Sequence, residues 1–147
     1  MKLRKLIAFL PIIICFLNPV SSNAYTDELL STYEEPEIFK VEATAYYNKY
    51  HNKCADGSDP EEGLTVAGKR EWLGKTCVIY LCKEDGSIGE FLGYYEFRDT
   101  GFGNDLDGDG IGSIQEGTCI DIYMDEKEDC IEWGRKNVWI QVIEAEG

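Results

Sequence analysis

The sequence predicts a small, mostly β domain, a compact and mostly antiparallel barrel or sandwich of five or six strands with one short helix. Three observations lead there. Short runs rich in β-branched and aromatic residues recur between residues 39 and 143. Clusters of Gly, Asp, Asn and Pro separate them. Helix start and stop signals are found over 125–134.

Residues 1–24 have the order of an export signal. Lys2, Arg4 and Lys5 precede an apolar run from Leu6 to Leu17, and Ser22-Asn23-Ala24 supplies the small residues of a cleavage site after Ala24. The run is shorter than the roughly 20 apolar residues of a membrane span. Cys15 sits inside it without the small residues a lipid-attachment site needs, so no lipid anchor is expected. The expectation is a cleaved leader and no membrane association afterwards. An acidic linker, 25–39 with Glu34-Glu35-Pro36-Glu37, then leads into a domain over 40–147.

The first expected strand is Phe39 to Tyr47 (FKVEATAYY), followed by a polar loop, Asn48 to Gly63. Thr76 to Cys82 (TCVIYLC) is an apolar run short enough to be a buried strand. A turn at Glu84-Asp85-Gly86-Ser87 leads to a strand over Phe91 to Arg98, and a long Gly/Asp loop fills Gly101 to Gly117. Thr118 to Met124 (TCIDIYM) is a strand with an aspartate inside it. Asp125 with Glu128 three residues on resembles a capping box, and Gly134 suits the helix C-terminus. Asn137 to Ile143 (NVWIQVI) is the last strand.

Charge narrows the function. The chain has 14 basic and 28 acidic residues. Loss of the leader removes three basic residues and leaves 11 against 28, a net −17. That argues against nucleic acid, which needs a basic footprint, and it leaves many carboxylates for cations. Five of the six cysteines lie beyond the leader: Cys54, Cys77, Cys82, Cys119 and Cys130. Outside the cytosol such thiols tend to pair, with one left over and the connectivity open. On one strand, the odd separation of Cys77 and Cys82 puts them on opposite faces, so they do not bond to each other.

Two aspartates stand out. Asp99 ends a strand in Arg98-Asp99-Thr100-Gly101, and Asp121 lies within Cys119-Ile120-Asp121-Ile122-Tyr123, on the face opposite Ile120 and Ile122. Patterning alone allows both to be ordinary surface carboxylates. The order of motifs adds more: Ala43-Thr44-Ala45-Tyr46, Gly74-Lys75-Thr76, Asp99-Thr100-Gly101, then Gly117-Thr118-Cys119-Ile120-Asp121-Ile122-Tyr123, and finally Trp133-Gly134-Arg135-Lys136-Asn137-Val138. Over about 40–144 this resembles the three-aspartate domain, a family with a double-psi β-barrel whose relatives include membrane-bound lytic transglycosylase A and rare lipoprotein A.

The resemblance implies a six-stranded double-psi barrel, with Asp121 as catalytic acid/base and Asp99 as its partner across a groove. Gly68 stands where the family's first aspartate is expected, and Glu71 is a loose substitute. Burial and the like charge of Asp99 are expected to raise the Asp121 pKa. Tyr46, Tyr47 and Trp72 are candidates to line a sugar groove or to pack in the core. His51, in the polar loop, is given no role.

The loop Asp105 to Glu116 (DLDGDGIGSIQE) has the spacing of a calcium loop: Asp105, Asp107 and Asp109 at positions one, three and five, Gly110 at six, the Ile111 carbonyl at seven and Glu116 at twelve. Gly112 departs from the usual apolar residue at position eight. A structural Ca²⁺ is expected there, against the alternative of a flexible acidic loop.

The export signal predicts a secreted protein, expected to be a monomer loosely associated with the wall. The resemblance implies that its partner is peptidoglycan and that it cleaves the glycan strands as lytic transglycosylases do. The absent first aspartate favours an alternative, a non-catalytic wall-binding module on the same barrel. A disulfide-stapled factor with a protein partner is a third possibility.

Overall fold

The computed structural model describes residues 37–144. The expected leader, 1–24, and the acidic stretch up to residue 36 lie outside the described residues. Six strands close into a barrel: β1 (Ile38–Tyr46), β2 (Thr65–Gly68), β3 (Thr76–Cys82), β4 (Ile88–Thr100), β5 (Cys119–Tyr123) and β6 (Lys136–Ile143). Around the barrel they run β1-β5-β2-β4-β3-β6. Closure leaves no open sheet edge. Four seams are antiparallel, and β1–β5 and β2–β4 are parallel. The expected six-stranded, mostly β barrel is what the chain forms.

Five strands fall where β-formers cluster in the sequence. β2 is the exception, because four residues (TVAG) are too short to show a period, yet all four are buried. Residues alternate in and out along each strand. The inward set, Val41, Ala43, Val66, Cys77, Ile79, Phe97, Ile120, Ile122, Val138 and Ile140, forms the core together with Trp72 from a 3₁₀ turn over Arg70–Trp72. The Trp72 ring packs on Phe97 at 5.1 Å and on Phe39 at 5.7 Å.

Among the described residues two helices are present rather than one. α1 (Ser113–Glu116) is a single turn inside the segment expected to be all loop. It follows from close packing of that segment on itself: Ile114 N–H donates to the Phe102 carbonyl, and Gly112 N–H to Gln115 Oε1. A Cβ at Gly112 would lie 1.9 Å from the Phe102 oxygen, so only glycine fits. α2 (Lys127–Trp133) is the expected helix and ends at Gly134, with φ 65°. Its N-cap is Glu126 and not Asp125, whose N–H instead donates to Glu62 across the barrel mouth. The Trp133 indole N–H donates to the Ala43 carbonyl and ties α2 to β1.

The expected disulfides do not form. Cys54, Cys77, Cys82, Cys119 and Cys130 are all free. The barrel scatters them: Cys77 points into the core, Cys119 lies on β5, Cys82 ends β3, Cys130 rides on α2, and Cys54 is in the loop after β1. Cys77 faces inward and Cys82 does not belong to the core, as their odd spacing requires.

Candidate functional site

The outward face of the β4-β2-β5-β1 wall carries one row of side chains. Register pairs Ala67 with Asp99 on β4 and with Asp121 on β5, and pairs Asp121 with Thr44 on β1. Asp99 and Asp121 therefore flank Ala67, with backbones two strand spacings, about 10 Å, apart. Asp121 is there because its neighbours Ile120 and Ile122 take the core face.

Asp99 is there because of a bulge. Val66 pairs with Phe97, but the next residue, Ala67, pairs with Asp99, so Arg98 is the extra residue on β4. Without that bulge Asp99 would share the parity of Tyr95 and Phe97 and point into the core. Both of its oxygens are engaged as acceptors. Oδ2 accepts from the Tyr46 hydroxyl at 3.0 Å, and Oδ1 from the amides of Ala55 at 3.0 Å and Thr100 at 2.9 Å.

Asp121 has a different environment. It is partly buried, and its one side-chain partner is the Thr44 hydroxyl, donating to Oδ1 at 2.9 Å. Burial pushes its carboxyl above the ordinary aspartate range, the charge of Asp99 adds to that, and the Thr44 hydrogen bond opposes it. Burial and the same Asp99 charge also push the Tyr46 phenol up, so Tyr46 keeps its proton and donates it.

Two cavities meet at Tyr46 and Tyr47. One, of about 270 Å³, has Asp99 in its wall with Tyr50, Lys49, Lys53 and Asn52 around it. The other, of about 400 Å³, is lined by Ala45, Lys127, Cys130 and Ile131. Asp121 lines neither. Tyr46 and Tyr47 are thus on the cavities as expected, whereas Trp72 is in the core. Glu71 is exposed on the 3₁₀ turn and belongs to neither cavity. Gly68 faces the core against Phe97 and Trp72, and the row position beside it belongs to Ala67. His51 is exposed in the loop bordering the first cavity.

Sequence reading missed Thr44 and Ala67 as members of the row. The signal for Thr44 was present, since Thr44 and Tyr46 are two apart on a strand and so share a face. For Ala67 there was none, because β2 is too short to read.

In the loop before α1, the carboxylate oxygens of Asp105, Asp107 and Asp109 all lie within 4.8 Å of one another. Asp105 accepts from the amides of Gly108 and Gly110, and Asp109 from that of Ile111. These three are gathered as a hard cation would need. Glu116 stands apart from them on α1, where it accepts from the Thr118 hydroxyl at 3.4 Å.

No family model matches the chain, and no curated protein matches it. Among solved structures it is similar to the crystal structure of MltA from E. coli, at 19% identity and a TM-score of 0.43, over 65% of this chain and 28% of that one. It is also similar to a variant of the E. coli lytic transglycosylase MltA in an apo form, at 17% identity and a TM-score of 0.43, over the same shares. The chain thus spans little more than a quarter of these relatives' length, and the likeness concerns the fold alone.

Proposed function

We propose that this protein is secreted, associates with the cell wall as a monomer, and cleaves glycosidic bonds in peptidoglycan glycan strands in the manner of a lytic transglycosylase. The observation that carries this reading is the contrast between two carboxyls on one barrel wall. Asp99 is fully engaged as an acceptor, and Asp121 is partly buried with a raised pKa. Pairs of carboxyls whose environments differ in this way divide acid–base work between them.

In the proposed reaction Asp121 gives its proton to the glycosidic oxygen as the C1–O bond breaks. The 6-hydroxyl of the same sugar then attacks C1 and returns a proton to Asp121, so that a 1,6-anhydro end forms and the acid is regenerated. One proton-carrying carboxyl suffices, because no water has to be activated. The cavities beside Tyr46 and Tyr47 would seat sugar rings on either side of the bond.

A second reading, a wall-binding module without catalysis, has its own support: Asp121 lines neither cavity, and the row carries Ala67 between its two aspartates. In either case the Asp105–Asp107–Asp109 group is proposed to hold a structural Ca²⁺, which would stiffen the segment leading from Asp99 to Asp121.

The test is mass spectrometry of soluble products after incubation with purified peptidoglycan and calcium, wild type beside Asp121→Asn. Anhydro-muropeptides from wild type alone are expected. Reducing-end products would mean hydrolysis instead. No release from folded protein, with retained pull-down on insoluble peptidoglycan, would leave the binding module.

A further inference from the structure

β1 places two hydroxyls on one face, each on a different carboxylate: Thr44 on Asp121 and, two residues on, Tyr46 on Asp99. They are not equivalent. Tyr46 adds a third hydrogen bond to an already well-held group. Thr44 is the side chain that holds Asp121, and it has a second acceptor in reach. Its Oγ1 lies 2.9 Å from Asp121 Oδ1 and 3.4 Å from the Ile120 carbonyl oxygen. The Ile120 carbonyl is part of the β1–β5 ladder and also receives a weak thiol contact from Cys119 at 3.4 Å, and a carbonyl oxygen has two lone pairs with which to accept.

A hydroxyl has one proton to give and two lone pairs to accept with. When Asp121 is ionised, Thr44 donates to it. When Asp121 carries the proton, the carboxyl can donate to Oγ1, and Thr44 can turn its own proton to the Ile120 oxygen. Only the hydroxyl hydrogen has to rotate.

We propose that Thr44 is a positioning residue for Asp121, with a hydroxyl that switches between Asp121 and the Ile120 carbonyl and so aims the carboxyl in both protonation states. The role rests on the reading of Asp121 as the proton carrier. The other titratable groups facing Asp121 are Asp99 from β4, Cys119 on its own strand, Cys130 from α2 and Tyr46 from β1. Burial raises the three that are thiol or phenol, and they stay neutral. Asp99 is therefore the other charge involved, and Thr44 acts against it by favouring the ionised carboxyl.

Site-resolved carbon NMR of the whole chain through an acid titration reads this without any substrate. In wild type, the Ile120 carbonyl signal should titrate with the same midpoint as the Asp121 carboxyl. Thr44→Val, close in shape but without the hydroxyl, should move the Asp121 midpoint upward and uncouple the Ile120 signal, while Thr44→Ser keeps both as in wild type. The alkaline limb of any glycan-cleaving activity should move up with the midpoint in Thr44→Val, at unchanged KM. An Ile120 signal indifferent to Asp121 in wild type would overturn the switch, whether or not the valine variant folds. A midpoint unmoved in folded Thr44→Val, or moved alike in Thr44→Ser, would overturn the positioning role. Absence of cleavage by wild type would count against the enzymatic reading alone, because the titration stands apart from it.

Discussion

Gly68 is where the barrel has no room. A Cβ added there would lie 2.5 and 2.6 Å from two ring carbons of Phe97 and 3.0 Å from a Trp72 ring carbon. Carbon atoms at rest sit about 3.5–4.0 Å apart, so the overlap with Phe97 is about 1 Å. The ring has little means of escape: Phe97 is 0% exposed and Trp72 stands against it at 5.1 Å. Overpacking of this kind costs roughly 1–3 kcal/mol, and the entropic benefit of replacing a strand glycine returns about 0.5–1 kcal/mol at most.

A net loss of about 1.5 kcal/mol is expected for Gly68→Ala, which in a domain of this size lowers Tm by about 6–12 °C. Thermal and urea unfolding would measure it. Phe97→Leu destabilises by itself, but the cost of Gly68→Ala should shrink in that background, because neighbours that clash are not additive. A Tm within about 2 °C of wild type, or strict additivity with Phe97→Leu, would refute the packing argument. The same geometry bears on the missing first aspartate. Gly68→Asp would press a carboxylate against two aromatic rings, so it should destabilise more than the alanine and confer no activity.

Further consequences can be measured. The Asp121 carboxyl is raised in the folded chain, so its contribution to stability is complete below the ordinary aspartate value of 3.8 and is lost as pH rises through the folded value. Asp121→Asn should therefore be more stable than wild type at neutral pH, with the gap closing as the solution is acidified, as urea unfolding across pH would show. Tyr46→Phe removes one of three donors to Asp99 and should cost about 1–2 kcal/mol, read by the same method. Calorimetric titration of Ca²⁺ should give saturable heat that Asp105→Ala abolishes, since Asp105 is both an expected ligand and the acceptor for two loop amides. Cys77 should resist alkylation until the protein unfolds, while the partly exposed Cys82 and Cys130 react in the native state.

Composition and period two decided most of the fold. β1, β3, β5, β6 and α2 lie within a few residues of where apolar alternation and Gly/Asp breakers put them, because side-chain burial and backbone propensity agree there. The direction of Asp121 was equally legible: Ile120 and Ile122 must be buried, so the residue between them cannot be. The acidic triplet Asp105, Asp107, Asp109 came together as its spacing demands, since a tight turn brings alternate residues to one side.

Tertiary structure decided the rest. β2 exists only because its two neighbours, β4 and β5, pair with it and the barrel buries it. Asp99 reaches the row through a bulge at Arg98, which is set by pairing with β2 and has no local signature. Trp72 went to the core and Gly68 under Phe97, because the barrel interior needed that volume filled and that spot vacant. The cysteines remained apart because strand order, not sequence distance, determines which thiols meet. The partnership of Thr44 with Asp121 is of the same kind: 77 residues separate them along the chain, and only the parallel pairing of β1 with β5 sets them side by side.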